Sequence, residues 1–277
     1  MLPMRARFAT ALLYLLVAGC FLLPGKFTSE LTVKRDGTFA FTYQGDIHVL
    51  ALSKLAQDAK DDDAPFKPQP LCKDDGEGVA DCSYDTEEAQ RENWKSSQAA
   101  TKEKRKQDAE MARQMLGGID PADPRAAEEL AERMRKQAGW KSVTYAGDGK
   151  YVVDFAIAGR LDHDFSFPSL ERVPMLTPFV AIYRRTDGTV RIDAPAFSSG
   201  ANGGPMGAMM QGMGADKTPS QNMPVLDGSF AIVTDGEILA NNTDDGPQGT
   251  APAMRRLAWK VTPRTAVAPT ALIKLGR

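Results

Sequence analysis

Leu31-Thr32-Val33-Lys34-Arg35-Asp36-Gly37-Thr38-Phe39-Ala40-Phe41 decides the fold. An Asp-Gly pair between two alternating apolar runs is a strong hairpin signal. A two-residue loop would set Val33 opposite Ala40 and leave Phe39 and Phe41 on the other face. A three-residue loop, Arg35-Asp36-Gly37, sets Val33 opposite Phe39 and Leu31 opposite Phe41. Only the second register gathers the large apolar side chains on one face, as burial requires. Gly37 then takes the left-handed position of a bulge, where a side chain is costly. The dipeptide recurs at Asp148-Gly149, Asp187-Gly188 and Asp235-Gly236. The same arithmetic pairs Tyr145 with Tyr151, Ile182 with Ile192 and Ile232 with Ile238. The reading is four antiparallel hairpins.

Working outward, 30–50 forms the first hairpin. Residues 58–84 read as a loop, since Asp58 to Pro70 is acidic and interrupted by Pro. Residues 85–139 read as a helical insertion. Asp85 and Glu88 make a capping box, and Thr86 to Leu116 contains neither Pro nor Gly. The large apolar residues of this run are Trp94, Met111, Met115 and Leu116, so the helix should lie mostly in water. Asp123 is expected to cap a second helix, with Pro124 in its first turn and Gly139 just past its end. Ala127, Leu130, Met134 and Ala138 fall on one face, which can pack on the sheet.

Residues 140–277 read as strand-rich. Asp154 to Phe167 alternates as one long strand that places His163 on a face with Leu161 and Phe165. A half-buried, hydrogen-bonded imidazole is expected there. The Gly, Met and Pro segment 198–224 has no periodicity and reads as a mobile loop. Strands resume at Ser229 to Leu239, Arg256 to Val261 and Thr270 to Leu275. Pro263 and Pro269 suggest edge strands after Trp259. The fold class is α+β: an antiparallel β-sheet built from Asp-Gly hairpins with a two-helix insertion, in a single domain.

The chain opens with Arg5 and Arg7, an apolar run from Phe8 to Val17, and then Val17-Ala18-Gly19-Cys20. That order is a secretory signal peptide. Its last four residues resemble the lipobox of bacterial lipoproteins. The resemblance implies a diacylglyceryl group on the Cys20 thiol, cleavage that removes 1–19, and an acylated new amino terminus. The body, 20–277, would then be an extracytoplasmic domain on a membrane of the cell envelope. Two or three acyl chains hold a protein firmly, where one does not. The rival readings are an ordinary signal peptide and an uncleaved membrane helix; Phe8 to Leu23 is short for a span, which needs about 20 apolar residues.

In an exported chain the remaining pair, Cys72 and Cys82, reads as a disulfide. Closing so small a loop contributes roughly 3 kcal/mol by chain entropy. A net charge of −2 draws the chain to neither nucleic acid nor an anionic surface. The chain has only two His, His48 and His163, and no GxSxG, HExxH, P-loop or Rossmann fingerprint, so no enzyme activity is expected. Nor is any cofactor. Asp61-Asp62-Asp63 and Asp74-Asp75 lack the spaced ligands of a Ca²⁺ loop and read as solvated charge.

The body is also similar, in short stretches, to the mycobacterial LppM-like lipoproteins. The likeness rests on Gly228-Ser229-Phe230, Thr234-Asp235-Gly236-Glu237-Ile238 and Leu257-Ala258-Trp259, with the opening hairpin from Leu31 to Tyr43. Asp235 stands where that family has Asn. The likeness implies an α+β envelope protein able to hold an acyl or glycolipid ligand, without indicating which residues would do so. The expected role is therefore a tethered, non-enzymatic binding or assembly module for a lipid or an envelope protein. Its groove could be lined by Phe39, Phe41, Phe155, Phe165 and Phe230, although plain core is the expected place of each.

The alternative function is copper, although the Met-rich loop has no His or Cys partner and also reads as a sticky apolar contact surface or as carrying no function. Met206, Met209, Met210 and Met213 follow the MxxMMxxM spacing of envelope methionine motifs, and thioethers are soft donors suited to Cu(I). Cu(I) titration of a variant with all four changed to Ala should show weakened binding if those thioethers are the ligands. Unchanged affinity rejects the metal role.

Overall fold

The computed structural model describes residues 22–49, 52, 66–68, 87–121, 123–171, 177–199 and 224–276. β1 (Leu22–Val33) and β2 (Thr38–Val49) are paired antiparallel, with Val33 opposite Phe39 and Leu31 opposite Phe41. Burial follows the alternation: Leu31, Val33, Phe41, Tyr43 and Ile47 are buried, while Thr42 and Gln44 between them are exposed.

The turn chemistry explains that register. Gly37 sits at φ +81°, and its N–H donates to the Lys34 carbonyl at 2.9 Å. The Asp36 carboxylate accepts from the Thr38 N–H at 2.9 Å and from the Thr38 hydroxyl at 2.7 Å. The turn between β6 (Val180–Arg184) and β7 (Thr189–Asp193) repeats this arrangement. Gly188 also sits at φ +81°, and Asp187 accepts from the Thr189 N–H at 2.9 Å and hydroxyl at 2.6 Å. Ile182 stands opposite Ile192. Both turns read Asp-Gly-Thr, and the Thr supplies both donors to the carboxylate in an Asx-type turn.

β3 (Trp140–Tyr145) and β4 (Lys150–Arg160) place Tyr145 opposite Tyr151. Their connection is a different turn, with Gly147, Asp148 and Gly149 all at positive φ.

The fourth Asp-Gly pair does not make a hairpin. β8 (Asp227–Thr234) and β9 (Glu237–Asn241) belong to different sheets, so Ile232 and Ile238 are not partners. The Thr here precedes Asp235, and its hydroxyl accepts the Gly236 N–H at 2.9 Å. The Asp235 carboxylate is committed elsewhere, to the Arg35 N–H at 2.7 Å. A Cβ on Gly236 would come 2.6 Å from Ile273 Cγ2, so the backbone passes where only glycine fits as the chain crosses between sheets.

The remaining strands are β5 (Phe165–Phe167), β10 (Gln248–Ala251), β11 (Met254–Val261) and β12 (Thr270–Lys274). One sheet runs β10-β11-β8-β1-β2-β4-β3 and the other β5-β6-β7-β12-β9. β8 is parallel to β1, so the expected single antiparallel sheet is instead two sheets, one of them mixed. β11 and β12 are interior strands rather than edges, because Pro263 and Pro269 fall in the connection between them. The long alternating strand to Phe167 is broken as well. β4 ends at Arg160, the chain changes sheets, and His163 is exposed on the bend rather than half-buried.

The helices are α1 (Glu87–Met115) and α2 (Ala126–Arg135). α1 is exposed along most of its length; Trp94 is half-buried with its ring centroid 5.7 Å from that of Phe66, and Leu116 just beyond the helix is buried. α2 buries Ala127, Leu130 and Met134, while Ala138 lies past its end and is exposed. The buried Tyr151 hydroxyl donates to the Ala127 carbonyl at 3.0 Å, which fastens α2 over β4. Asp123 is not the helix cap. It accepts from the Arg125 N–H at 2.8 Å one turn earlier, and Arg125 occupies the N-cap position.

The sheets meet across aromatic rings. Phe167 lies 4.6 Å from Phe155, 5.0 Å from Tyr43, 5.1 Å from Phe41, 5.7 Å from Trp140 and 5.9 Å from Phe179, centroid to centroid. Phe→Ala in such a place costs about 3–5 kcal/mol through lost burial and the cavity left behind. Urea denaturation of Phe167→Ala should show a loss of that size, and Phe165→Ala, on the half-buried end of β5, a smaller one. Equal losses would refute the central place given to Phe167.

Candidate functional site

The ends of the strands sort the charged side chains into two poles. β1 and β8 run toward one pole, and β2 and β4 run between the two. At the far end of β1 three Asp-Gly turns converge and are sewn together through backbone. The Gly276 N–H donates to the Arg35 carbonyl at 3.0 Å, Leu275 N–H to Gly188 at 3.0 Å, and Leu161 N–H to Gly37 at 2.8 Å. Arg160 Nη2 donates to the Asp36 carbonyl at 2.9 Å, and Arg184 Nη1 to the Leu161 carbonyl at 3.0 Å. The Asp164 carboxylate accepts the Arg184 N–H at 2.8 Å.

The side chains this turn pole leaves exposed include Lys34, Arg35, Arg185 and Lys274. Asp36 and Asp187 are held below the usual carboxylate range, first by the hydroxyls of Thr38 and Thr189 and then by the N–H groups of the same residues. They are therefore ionised acceptors at neutral pH, not proton donors.

A second feature lies on the outer face of the larger sheet. An open cleft of about 470 Å³ is lined by Lys26, Phe27, Thr28, Gln44, Asp227, Gly228 and Ser229. It follows from a register shift in β1 between Pro24 and Phe27, opposite Gly45 at φ +149°. A Cβ on Gly45 would lie 2.2 Å from the Lys26 carbonyl oxygen, so a glycine is required there. The cleft offers hydrogen-bonding groups and one Lys–Asp pair, Lys26 opposite Asp227.

The other pole holds the start of β1. There Lys150 Nζ lies 2.9 Å from an Asp46 carboxylate oxygen, and the buried Tyr43 hydroxyl donates to the Asp46 carbonyl at 2.8 Å. His48 packs over Gly25, where a Cβ would come 2.9 Å from Nε2. Burial holds the imidazole pKa below its ordinary value, aided by Lys150 and opposed by Asp46.

Of the two readings of the aromatic side chains, groove lining and plain core, the structure shows core. Phe39, Phe41, Phe155 and Phe230 are buried and Phe165 is half-buried. Phe39 packs on Phe165, Phe41 on both Phe165 and Phe155, and Phe230 on Phe197 and Trp259. Alternation brought them to one face, and the second sheet then covered that face. Cys20, Cys72, Cys82, Met206, Met209, Met210 and Met213 lie outside the described residues.

Sequence reasoning missed the convergence of the turns and the role of Asn242. Its carboxamide oxygen accepts from Trp259 Nε1 at 3.0 Å and from the Thr270 N–H at 2.9 Å, while its nitrogen donates to the Ala268 carbonyl at 2.8 Å. The shared Asp-Gly-Thr triplet was the signal for the two matching turns; no local pattern announces the Asn242 tie.

No family model and no curated protein matches the chain. Among solved structures it is similar to the folded domain of the Mycobacterium tuberculosis LppM protein, determined by NMR. Identity is 10%, the TM-score is 0.30, and the alignment covers 94% of this chain and 92% of that one. An overlap this loose leaves the role to be read from the chain itself.

The turn carboxylates generate a pH dependence. Their folded pKa values lie below the ordinary 3.8, so the stability they contribute is present above that pH and is lost as pH falls through the depressed values. The double variant Asp36→Asn/Asp187→Asn keeps an acceptor but removes the titration. Its thermal midpoint should fall less steeply than that of the parent as the pH is lowered through and below 3.8. Parallel curves would show that these turns do not set the acid response.

Proposed function

We propose that the protein is an envelope lipoprotein, anchored through acylated Cys20, whose folded body recognises another envelope protein without performing chemistry. The observation that carries this reading is where the body begins. β1 starts at Leu22, and Leu22 and Leu23 are already buried in the sheet. Cleavage before Cys20 therefore removes none of the described residues of β1. A lipid-bearing thiol at position 20 is thus compatible with every described contact of the core.

Recognition of a protein fits the rest better than capture of a lipid between sheet and helix. The aromatic side chains that would have lined an apolar groove pack against one another and against the second sheet. What the body offers outward is a hydrogen-bonded frame of turns with charged side chains, and a polar cleft. Such surfaces give specificity through electrostatic complementarity.

Intact-mass analysis of protein extracted natively from membranes tests the reading. The mature chain should begin at Cys20 and carry fatty acid, with no additional lipid in fixed proportion. A different amino terminus, or an unmodified thiol, refutes the anchor. A stoichiometric free lipid would return the role to lipid binding.

A further inference from the structure

Two residues after Cys20 the chain is already inside a sheet. Leu22 is paired with Val49 and Leu23 with His48, and both leucines are about 5% exposed. This start is not a loose end that could pay out more chain. Consecutive Cα atoms are 3.8 Å apart, so Cys20 and Leu22 can be separated by no more than about 7 Å. Each leaflet's head-group layer is about 5–8 Å thick, the difference between the hydrocarbon core and the whole bilayer. An acylated Cys20 holds its lipid tails in the hydrocarbon. The tether is then no longer than the layer it must cross.

Resting on the reading that Cys20 is acylated, we propose that the anchor pole lies directly on the head groups of the membrane that holds Cys20. This pole comprises the start of β1, the end of β2 and the turn from Ala146 to Gly149. The occupant is the phospholipid surface itself, and the length of chain outside the fold selects it.

The distribution of charge agrees. Among the described residues of the anchor pole, Asp46 and Lys150 neutralise one another at 2.9 Å, Lys26 stands opposite Asp227, and the adjoining turn Ala146-Gly147-Asp148-Gly149 carries one charge. The opposite pole carries Lys34, Arg35, Asp36, Arg185, Asp187 and Lys274. The described residues of this end, whose charges nearly cancel, can settle on head groups without stripping water from many unpaired charges, a step that costs free energy. The acyl chains supply the affinity, so the surface need only fit. With a rise of about 3.3 Å per residue, β1 sets the turn pole roughly 36 Å from the anchor pole, clear of the bilayer. Surface recognition by the turn pole then takes place away from the membrane.

The test uses the full acylated chain in phosphatidylcholine vesicles containing lipids with a quencher on the head group. A fluorescent non-natural amino acid is placed at position 146 or at position 186, both exposed and at opposite poles. Emission should be several-fold lower at 146 than in quencher-free vesicles and unchanged at 186. Equal quenching, or stronger quenching at 186, overturns the proposal. Intact mass from the same vesicles separates the two failures. Absence of fatty acid on Cys20 removes the underlying reading and the orientation with it, whereas acylated protein without quenching at 146 overturns the orientation alone. A long Gly-Ser linker inserted between Phe21 and Leu22 should release the pole and restore emission at 146. Quenching that persists would overturn the claim that a short tether sets the contact.

Discussion

Phe167 is the contact on which the architecture depends. It sits on the shortest strand of the smaller sheet yet meets rings from β2, β3 and β4 of the larger one. Aromatic pairs at these separations add roughly 0.5–1.5 kcal/mol each beyond their burial. The arrangement works only if Phe41, Tyr43 and Phe155 share a face. That in turn requires the three-residue turn at Arg35-Asp36-Gly37, since a slip by one residue would send every aromatic of β2 to the solvent side. Turn chemistry and core packing are thus one constraint seen at two scales.

The same turns give the molecule its polarity. Asp36 and Asp187 use their carboxylates locally, each on its own Thr, whereas Asp235 reaches across to Arg35. Two turns are closed by their own residues, and the third links them to the point where the chain changes sheets. The pole at the start of β1 is built differently; its described residues include three consecutive positive-φ positions and the Asp46–Lys150 ion pair. One end is a charged, cross-linked frame, whereas the charges of the described residues beside the start of β1 nearly cancel.

Much was legible in the residues. The registers Val33–Phe39, Tyr145–Tyr151 and Ile182–Ile192 stand as alternation and loop length required. Helix α2 buries the face that its spacing marked. The failures have a common physical source. Ile232–Ile238 and the run through His163 were read as local pairs or continuous strands, but at both places the chain crosses from one sheet to the other. Alternation reports which side of a strand is apolar and carries no information about which sheet the strand joins. The parallel pairing of β8 with β1 is equally invisible, since it joins residues about two hundred positions apart.

The candidate site divides along the same line. Sequence by itself determined the faces of the strands, the two Asp-Gly-Thr turns and the α+β class, because each depends on neighbours within a few residues. Only the tertiary structure decided that the apolar aromatic face is sealed by a second sheet rather than left open as a groove. It alone brought three turns to one pole and placed Leu22 at the other. The reason is that sheet stacking and strand order are settled by burial between distant segments, where many local patterns are satisfied equally and only the best-packed combination survives.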